Sequence, residues 1–318
     1  MAMKVIGSAG KEGVAVVYLA DFGEGRYAEF VDAYQPGIRQ GSKWVLLVST
    51  MFGCPVGCRM CDAGGLFRGN AGVEDIFAQV DYMVRGRYPD GRIPQAQFKI
   101  QFARMGEPAL NPAVLDVLET LPDRYRAPGF MPSLSTIAPL GSGSFFRRLL
   151  RIKKDRYRGG RFQFQFSIHT TDSALRDRFM PVPKWDFGRM AAYGDEFFEP
   201  GDRKIALNFA LAQGMPVDPD VLLAHFHPDR FLLKITPLNP TYQAERHGLS
   251  SYIDPFREDE RYGIVEALKS AGYQVLVSIG EPEENRIGSN CGQYLRKHLE
   301  AADRLASGYG YDLRRIPE

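Results

Sequence analysis

Short runs of apolar, β-branched and aromatic residues alternate along this chain with stretches in which apolar residues recur at helical spacing. The short runs are bounded by Gly, Pro, Asn and Asp, which is typical of buried strands. They predict strands at residues 44–49, 97–102, 132–136, 162–168, 204–211, 231–236 and 274–278. The helical spacing predicts helices at residues 73–85, 112–121, 144–153, 172–179, 218–225, 255–271 and 292–306.

Strand followed by helix in steady succession predicts an α/β fold with a parallel sheet. About six such units indicate a partial (β/α)6 barrel of TIM type, with functional groups at the carboxyl ends of the strands. We assign this barrel to residues 43–282. Residues 1–42 are predicted to form a small N-terminal subdomain or strand pair, and residues 283–318 a loop through Cys291 and a closing helix.

Composition describes an ordinary globular protein of 318 residues, of which 44% are hydrophobic. The sequence contains no run of eighteen apolar residues and no signal-peptide pattern at its start, so we expect a cytoplasmic protein without a membrane association. The net charge of +2 neither requires nor excludes an RNA substrate. Four cysteines in so long a chain do not indicate a disulfide framework.

Three of the four cysteines, Cys54, Cys58 and Cys61, lie in one C-x3-C-x2-C loop. Glycines before Cys54 and Cys58 allow the loop to turn tightly, and thiolates this close together are suited to one metal centre. A closed 4Fe–4S cluster uses four cysteines, so three ligands leave one iron open to an exogenous ligand. A structural zinc site would need a fourth ligand, and the nearest histidine in sequence is His169. Three unrelated cysteines are the other alternative.

A second motif, Gly106-Glu107-Pro108, directly follows the predicted strand 97–102. Glycine permits a close backbone approach, and the Glu107 carboxylate can accept hydrogen bonds from an ammonium group. A simple turn is the alternative, because Gly and Pro are common in turns.

Hydroxyl, imidazole and amide side chains occupy three further strand ends. Such side chains can hydrogen-bond a carboxylate, a ribose or an adenine, although each taken singly is more often an ordinary strand end or Asx turn. The candidates are Ser135, Ser167, His169 and Asn239.

The cysteine spacing is the hallmark of the radical S-adenosylmethionine (SAM) superfamily. Over residues 44–293 the chain resembles the RlmN/Cfr-like radical SAM methyltransferases, which methylate adenosine in RNA at ring carbons. The matching motifs are the cysteine loop, Gly-Glu-Pro followed by Asn111, the Leu-Ser-Thr strand end, the Ser-x-His segment, the Pro-x-Asn-Pro turn and Asn290-Cys291-Gly292-Gln293.

This resemblance implies a barrel of the radical SAM type that holds a 4Fe–4S cluster, with SAM chelated to the open iron. It implies that Gly106, Glu107 and Pro108 bind the amino group of SAM, that Ser167 and Asn239 contact SAM, and that Ser135 and His169 lie nearby. It also implies an electron donor of the flavodoxin or ferredoxin type. By the same resemblance, Cys291 is the cysteine that becomes methylated.

The chemistry of Cys291 can also be reasoned from the residue itself. A thiolate is a natural nucleophile for the electrophilic methyl group of SAM, and a hydrogen atom could then be removed from the new S-methyl group. The resulting methylene radical could add to an electron-poor aromatic carbon. A small buried apolar residue is the alternative reading of Cys291.

The sequence departs from the family pattern in three places. Leu47 stands where the family has a second cysteine that resolves the adduct, seven residues before Cys54, and Met60 replaces an aromatic residue. The N-terminal segment is also too short for the family's RNA-engaging accessory domain.

Three hypotheses therefore remain open. The first is methyl or methylene transfer through Cys291 to an sp2 carbon of a nucleotide-like or small aromatic substrate, with RNA possible. The second is a radical SAM enzyme with non-methylating chemistry on a metabolite or peptide. The third is a structural metal-binding or RNA-binding module without catalysis.

Overall fold

The structure, a computed structural model, describes residues 2–34, 43–257, 261–280, 282–289, 293–300 and 310–316. Within these ranges no helix combines the length and the apolar character needed to cross a membrane.

Three antiparallel strands begin the chain: β1 (Lys4–Lys11), β2 (Ala15–Asp21) and β3 (Tyr27–Tyr34). The third strand, β3, pairs antiparallel with β4 (Lys43–Val48), and so the N-terminal strands continue the central sheet. The sequence predicts a subdomain or strand pair here, and the structure has three strands joined to that sheet.

Six more strands follow β4, each parallel to its neighbour in sequence order. They are β5 (Gln97–Phe102), β6 (Phe130–Thr136), β7 (Gln163–Ser167), β8 (Ile205–Leu211), β9 (Phe231–Pro237) and β10 (Val275–Val277). All seven strands predicted from the apolar runs are thus confirmed, and the mostly parallel sheet confirms the α/β class.

Helices occupy the connections between these strands. They are α1 (Val73–Arg87), α2 (Ala113–Arg124), α3 (Gly143–Arg156), α4 (Ser173–Phe179), α5 (Phe187–Phe197), α6 (Pro219–Leu223), α7 (Tyr242–Arg246) and α8 (Gly263–Ser270). The sequence patterns missed α5 and α7. They also placed the start of α8 too early: the Asp254 carboxylate accepts a hydrogen bond from the Phe256 amide, which forms a turn in place of a first helical turn.

The C-terminal segment (282–289 and 293–300) contains two further helices, α9 (Pro282–Ile287) and α10 (Gln293–Glu300). The sequence predicts a loop where α9 lies, so that part of the prediction is wrong. The predicted helix at 292–306 is confirmed over residues 293–300, and its remaining residues lie outside the described ranges. A last short strand, β11 (Arg314–Arg315), pairs with β1.

The main hydrophobic core lies between the helices and one face of the sheet. Alternate strand residues such as Phe98, Ile100 and Phe102 belong to it, together with helical residues such as Val80 and Leu118. Because side chains alternate across a strand, the intervening residues Lys99 and Gln101 lie on the opposite face. The helices therefore cover the outside of the sheet, and the opposite face is left for the site.

Candidate active site

The cysteine loop begins directly after β4, at the carboxyl end of the parallel sheet. Gly53 and Gly57, each preceding a cysteine, have φ angles of 79° and 67°, in the left-handed region that favours glycine. A Cβ atom at Gly53 would lie 2.3 Å from the Leu66 carbonyl oxygen. The tight turns predicted for these two glycines are therefore confirmed.

Hydrogen bonds close the loop on itself. The Cys54 amide donates to the Ala63 carbonyl at 2.8 Å, and the Cys61 amide donates to the Cys58 carbonyl at 3.0 Å. Apolar side chains pack around the three half-buried cysteines: Val56, Phe179 and Leu238 on one side and Ala63, Met105 and Leu295 on the other.

The three thiols lie close enough together to influence one another's protonation. Burial, and next the neighbouring Cys61 thiol, raises the pKa of Cys54 to about 12. Burial also raises the pKa of Cys58, followed by the effects of Cys61 and Cys54. Thiolates at this position therefore require a compensating cation, and metal binding here would release protons.

This donor set fits an iron–sulfur cluster, because soft thiolates converge at an open carboxyl edge of the sheet. Among the described residues, no three His, Cys, Asp or Glu side chains are arranged to hold a single metal ion. A cluster differs from a single ion in that its thiolates bind separate iron atoms.

The Gly106-Glu107 motif lies directly beside the start of the cysteine loop. Gly106 has a φ angle of 98°, and a Cβ atom there would lie 2.7 Å from the Met51 Cβ and from the Thr50 Oγ1. The close backbone approach predicted for this glycine is confirmed. It brings the Glu107 carboxylate near the thiols, where the carboxylate contributes to raising the pKa of Cys58.

The Glu107 carboxylate is buried and joins the ends of β5 and β6. Its Oε1 accepts hydrogen bonds from the Ala109 amide at 3.0 Å and from the Thr136 hydroxyl. Its Oε2 accepts from the Ile137 amide at 2.9 Å. Burial raises the pKa of Glu107 to about 7, even though these donors act in the opposite direction. The carboxyl group is therefore held near its protonation midpoint at neutral pH.

The remaining predicted SAM contacts all lie at the carboxyl end of the sheet. The Ser135 hydroxyl, on β6, accepts a hydrogen bond from Gln165 Nε2 at 3.0 Å, and Ser167 is the last residue of β7. Asn239 comes two residues after β9. The shared edge follows from the parallel strand order, since the strands all end on the same side.

His169 lies at the same edge in a strained backbone conformation, with a φ angle of 66°. Its Nδ1 accepts a hydrogen bond from the Ala210 amide at 3.1 Å. Burial, and next the Arg176 guanidinium, lowers the pKa of His169 to about 3. The imidazole is therefore neutral at physiological pH and carries its hydrogen on Nε2.

Asn111, which the sequence places in the Gly-Glu-Pro motif, connects the two ends of the cysteine loop. Its Nδ2 donates to the Thr50 carbonyl at 2.7 Å and to the Ala71 carbonyl at 2.8 Å. These bonds give Asn111 a structural role in anchoring the loop.

The cysteine loop is also tied to the turn after β9. The Asp62 carboxylate accepts hydrogen bonds from the Tyr242 amide at 3.1 Å and from the Gln243 amide at 2.9 Å. The Thr241 hydroxyl donates to the Met60 carbonyl at 2.8 Å. These bonds fix the position of the loop relative to the turn that contains Asn239.

A buried ion pair between Glu29 on β3 and Arg104 after β5 binds the C-terminal segment. Both side chains are fully buried. Arg104 Nη1 donates to the Gly288 carbonyl at 3.1 Å and to the Ser289 carbonyl, while Glu29 Oε1 accepts from the Leu295 amide. The pair thus contacts residues on both sides of Cys291, which itself lies outside the described residues.

The helix α10 is attached to the cysteine loop by a second arginine. Arg296 Nη2 donates to the Gly64 carbonyl at 2.9 Å and to the Asp62 carbonyl at 3.4 Å. Leu295, the preceding residue, belongs to an apolar cluster against which Cys54 and Cys61 pack. The C-terminal segment therefore lies directly against the cysteine loop.

Sequence reasoning did not identify Glu29, Arg104, Asp62 or Arg296. Charged residues at these positions carry no local pattern that distinguishes them from surface charges, because their partners are remote in sequence. One available signal was the position of Arg104, two residues before Gly106 and two residues after the end of β5.

Comparisons with known proteins agree with this geometry. No protein-family model matches the chain. It is 28% identical over 261 residues to a probable dual-specificity RNA methyltransferase RlmN of Desulfitobacterium hafniense, covering 80% of this chain and 67% of that protein. It is 26% identical over 259 residues to the dual-specificity RNA methyltransferase RlmN of Syntrophobacter fumaroxidans, covering 80% of this chain and 70% of that protein.

A solved structure supports the fold. A radical SAM methyltransferase from Sphaerobacter thermophilus superposes with a TM-score of 0.68 at 19% identity, covering 92% of this chain and 81% of that one. The chain spans about two thirds of the length of the first RlmN relative. The sequence relatives thus confirm the predicted resemblance to RlmN methyltransferases, and the solved structure confirms the fold.

Proposed function

We propose that this chain holds a 4Fe–4S cluster on Cys54, Cys58 and Cys61 and uses it to cleave SAM reductively, with methyl or methylene transfer through Cys291. The substrate carbon is an sp2 carbon of a nucleotide-like or small aromatic molecule. One observation carries the proposal: the residues on both sides of Cys291 are bound at the cysteine loop and at the end of β5.

The cofactors fit the residues at the carboxyl edge. The three cysteines hold the cluster, and the cluster, when bound, supplies the electron that splits SAM into methionine and a 5′-deoxyadenosyl radical. The Glu107 carboxylate would bind the SAM ammonium group through Oε2, which among the described residues accepts from the Ile137 amide alone, whereas Oε1 already accepts from two donors. Ser167 and Asn239 would bind the rest of SAM, with Ser135 and the neutral His169 nearby.

Glu107→Gln is expected to weaken SAM binding and to remove its pH dependence. In the native protein only the carboxylate form attracts the ammonium group, and its pKa of about 7 lies well above the ordinary value. The affinity for SAM should therefore increase as the pH rises from about 6 to about 8 and decrease as the carboxyl is protonated. Calorimetric titration of the cluster-loaded protein with SAM across this range measures both effects.

The matched control is Glu119→Gln, an exposed carboxylate on α2 that should leave the profile unchanged. A Glu107→Gln variant that binds SAM with native affinity and native pH dependence would remove Glu107 from the SAM site.

The Cys291 thiol carries the proposed group transfer. It loses its proton and attacks the SAM methyl carbon, so that an S–CH3 bond forms, the sulfonium C–S bond breaks and S-adenosylhomocysteine leaves. This methyl group then gives up a hydrogen atom to the 5′-deoxyadenosyl radical from a second SAM molecule, which becomes 5′-deoxyadenosine. The carbon radical that remains adds to the substrate ring. Since the other three cysteines hold the cluster, we propose that a thiol from outside the protein releases the adduct.

Cys291→Ala is expected to retain the cluster and SAM cleavage while losing all product. Mass spectrometry of anaerobically purified native protein should show one added methyl group on the peptide that contains Cys291. A thiol that stays unmodified after incubation with SAM would contradict methyl transfer. The Cys291→Ala variant should still form 5′-deoxyadenosine at a rate comparable to that of the native protein, but this SAM cleavage should no longer be coupled to product formation.

Leu47 favours a second candidate function, in which the enzyme uses its radical without methyl transfer. Leu47 belongs to a buried apolar cluster together with Ile287 and Tyr294, which flank Cys291 in sequence. No resolving thiol is therefore present at this position, and the radical could act on a metabolite or peptide without methyl transfer. The mass measurement distinguishes the two functions, because only the first requires a methylated Cys291.

A further inference from the structure

The strand β8 presents a single polar side chain, Asn208, to the interior of the sheet. Its neighbours Leu207 and Phe209 belong to the main core on the helix side, so Asn208 lies on the opposite face. Ala206 and Ala210 share that face, two residues before and two residues after Asn208. Because their side chains are single methyl groups, the nearest positions along the strand leave room beside the Asn208 amide.

The Asn208 amide has no hydrogen-bond partner in the described part of the chain. Its Oδ1 is buried and accepts from no described residue. Asn208 as a whole is half-buried, so the amide is open on the side of Nδ2. A buried acceptor without a donor is unfavourable, and such a group in a native protein calls for a ligand or an ordered water.

Backbone hydrogen bonds fix Asn208 at the carboxyl end of β7. Its carbonyl accepts from the Ile168 amide at 2.9 Å and from the His169 amide at 3.2 Å. These bonds place the free side-chain amide next to the segment that contains two of the predicted SAM contacts, Ser167 and His169.

The neighbouring strands do not supply the missing donor. Asn208 is in register with Ser167 of β7 on one side and with Lys234 of β9 on the other. Adjacent strands lie about 4.8 Å apart, so both side chains are direct neighbours of the amide on the interior face. Neither the Ser167 hydroxyl nor the Lys234 ammonium group donates to Oδ1. A molecule that enters the interior can therefore provide this hydrogen bond.

The chemistry of the amide limits what that molecule can be. A side-chain amide has an acceptor and a donor side by side, so its complement is an edge with a donor next to an acceptor. The edge of adenine, with its exocyclic amino group beside a ring nitrogen, has this arrangement, and asparagine binds adenine through it. A carboxylate or an ionised phosphate has acceptors alone and would leave Oδ1 unsatisfied.

We propose that Asn208 is a specificity-determining residue, whose amide binds the amino group and the adjacent ring nitrogen of an adenine-type base. The inference rests on the proposed function, because SAM and a nucleotide-like substrate are the two molecules that bring such an edge to this site. Both have the same hydrogen-bonding pattern, and the experiment separates them.

The test is calorimetric titration of the full-length, cluster-loaded protein with adenosine and, separately, with purine riboside, which lacks the amino group. The native protein should bind adenosine about tenfold more tightly. Asn208→Ala should bind the two nucleosides equally, because no contact then distinguishes them. The matched control, Gln213→Ala, removes an exposed amide just beyond β8 and should keep the native preference.

Repeating both titrations with saturating SAM, without a reductant, identifies the source of the base. If the adenine of SAM occupies Asn208, SAM should abolish the preference for adenosine and should bind Asn208→Ala about tenfold more weakly than the native protein. If the preference persists with SAM bound, the amide binds the base of a separate nucleotide-like substrate.

A third variant separates binding from folding. Asn208→Leu replaces the unsatisfied amide by an apolar group of similar size, so the ligand-free variant should be at least as stable as the native protein in urea. The preference for adenosine should nevertheless be lost. A clear loss of stability in the ligand-free variant would indicate a structural role for the amide and would contradict the proposal.

Equal affinity of the native protein for adenosine and purine riboside, or an unchanged preference in Asn208→Ala, would overturn the proposal. These titrations require neither a reductant nor methyl transfer, so a failure here leaves the mass measurement on Cys291 unaffected. A Cys291 thiol that stays unmethylated would likewise leave the base preference standing.

Discussion

Cys58→Ala is expected to abolish cluster assembly and to reduce SAM cleavage to background. Cys58 lies close enough to Cys54 and Cys61 for each to raise its pKa, and the one further cysteine in the sequence is Cys291. Two remaining thiolates would leave two irons exposed, and the cluster would not persist. Iron and sulfide content after anaerobic reconstitution, and 5′-deoxyadenosine formed on adding dithionite, measure the two losses.

Two controls make this result specific. Met60→Leu changes a partly buried apolar residue of the same loop and should keep both the cluster and SAM cleavage. Cys291→Ala removes a cysteine outside the loop and should do the same. Full SAM cleavage by Cys58→Ala, or stoichiometric zinc in the native protein, would refute the cluster assignment.

Arg104→Ala is expected to destabilise the protein by about 3–5 kcal/mol, the usual cost of leaving a buried charge without its partner. The variant leaves the Glu29 carboxylate fully buried and removes the donors to Gly288 and Ser289. Anaerobic urea denaturation measures the loss. Hydrogen exchange should also increase selectively in residues 288–289 and 293–296, because their attachment to β3 and β5 is broken.

An exposed ion pair provides the matched comparison. Arg148→Ala breaks contacts to Asp116 and Glu119 on the surface and should cost about 0–1 kcal/mol. The double variant Glu29→Gln, Arg104→Met should lose less stability than Arg104→Ala alone, because it leaves no uncompensated charge. An Arg104→Ala variant as stable as Arg148→Ala would contradict the role assigned to the buried pair.

Local patterns were sufficient for the seven strands from β4 to β10. The strand β8 contains nearly continuous apolar residues, and β5 alternates apolar with polar residues, so each is recognisable without its neighbours. The helix α5 was missed because two glycines, Gly188 and Gly194, lower its helical propensity. The reason for Gly194 is tertiary: a Cβ atom there would lie 2.3 Å from the Phe231 ring.

The features of the candidate site also divide into those that the sequence predicted and those that only the structure revealed. The cysteine loop, Gly106 and Glu107 were predicted because spacing and residue type report the chemistry directly, and the φ angles of Gly53, Gly57 and Gly106 bear out the close turns. Spacing could not report that Glu107 is buried, because the donors Thr136 and Ile137 come from another strand.

The sequence by itself determined the seven strands from β4 to β10, most of the helices between them, the three-thiolate loop and the residues at the carboxyl edge. Each of these depends on periodicity or spacing within a few residues, where the side chains that matter are close along the chain. Only the tertiary structure decided that Glu29 and Arg104 bind both sides of the Cys291 region. Burial and charge pairing depend on groups far apart in sequence, and folding alone brings those groups together.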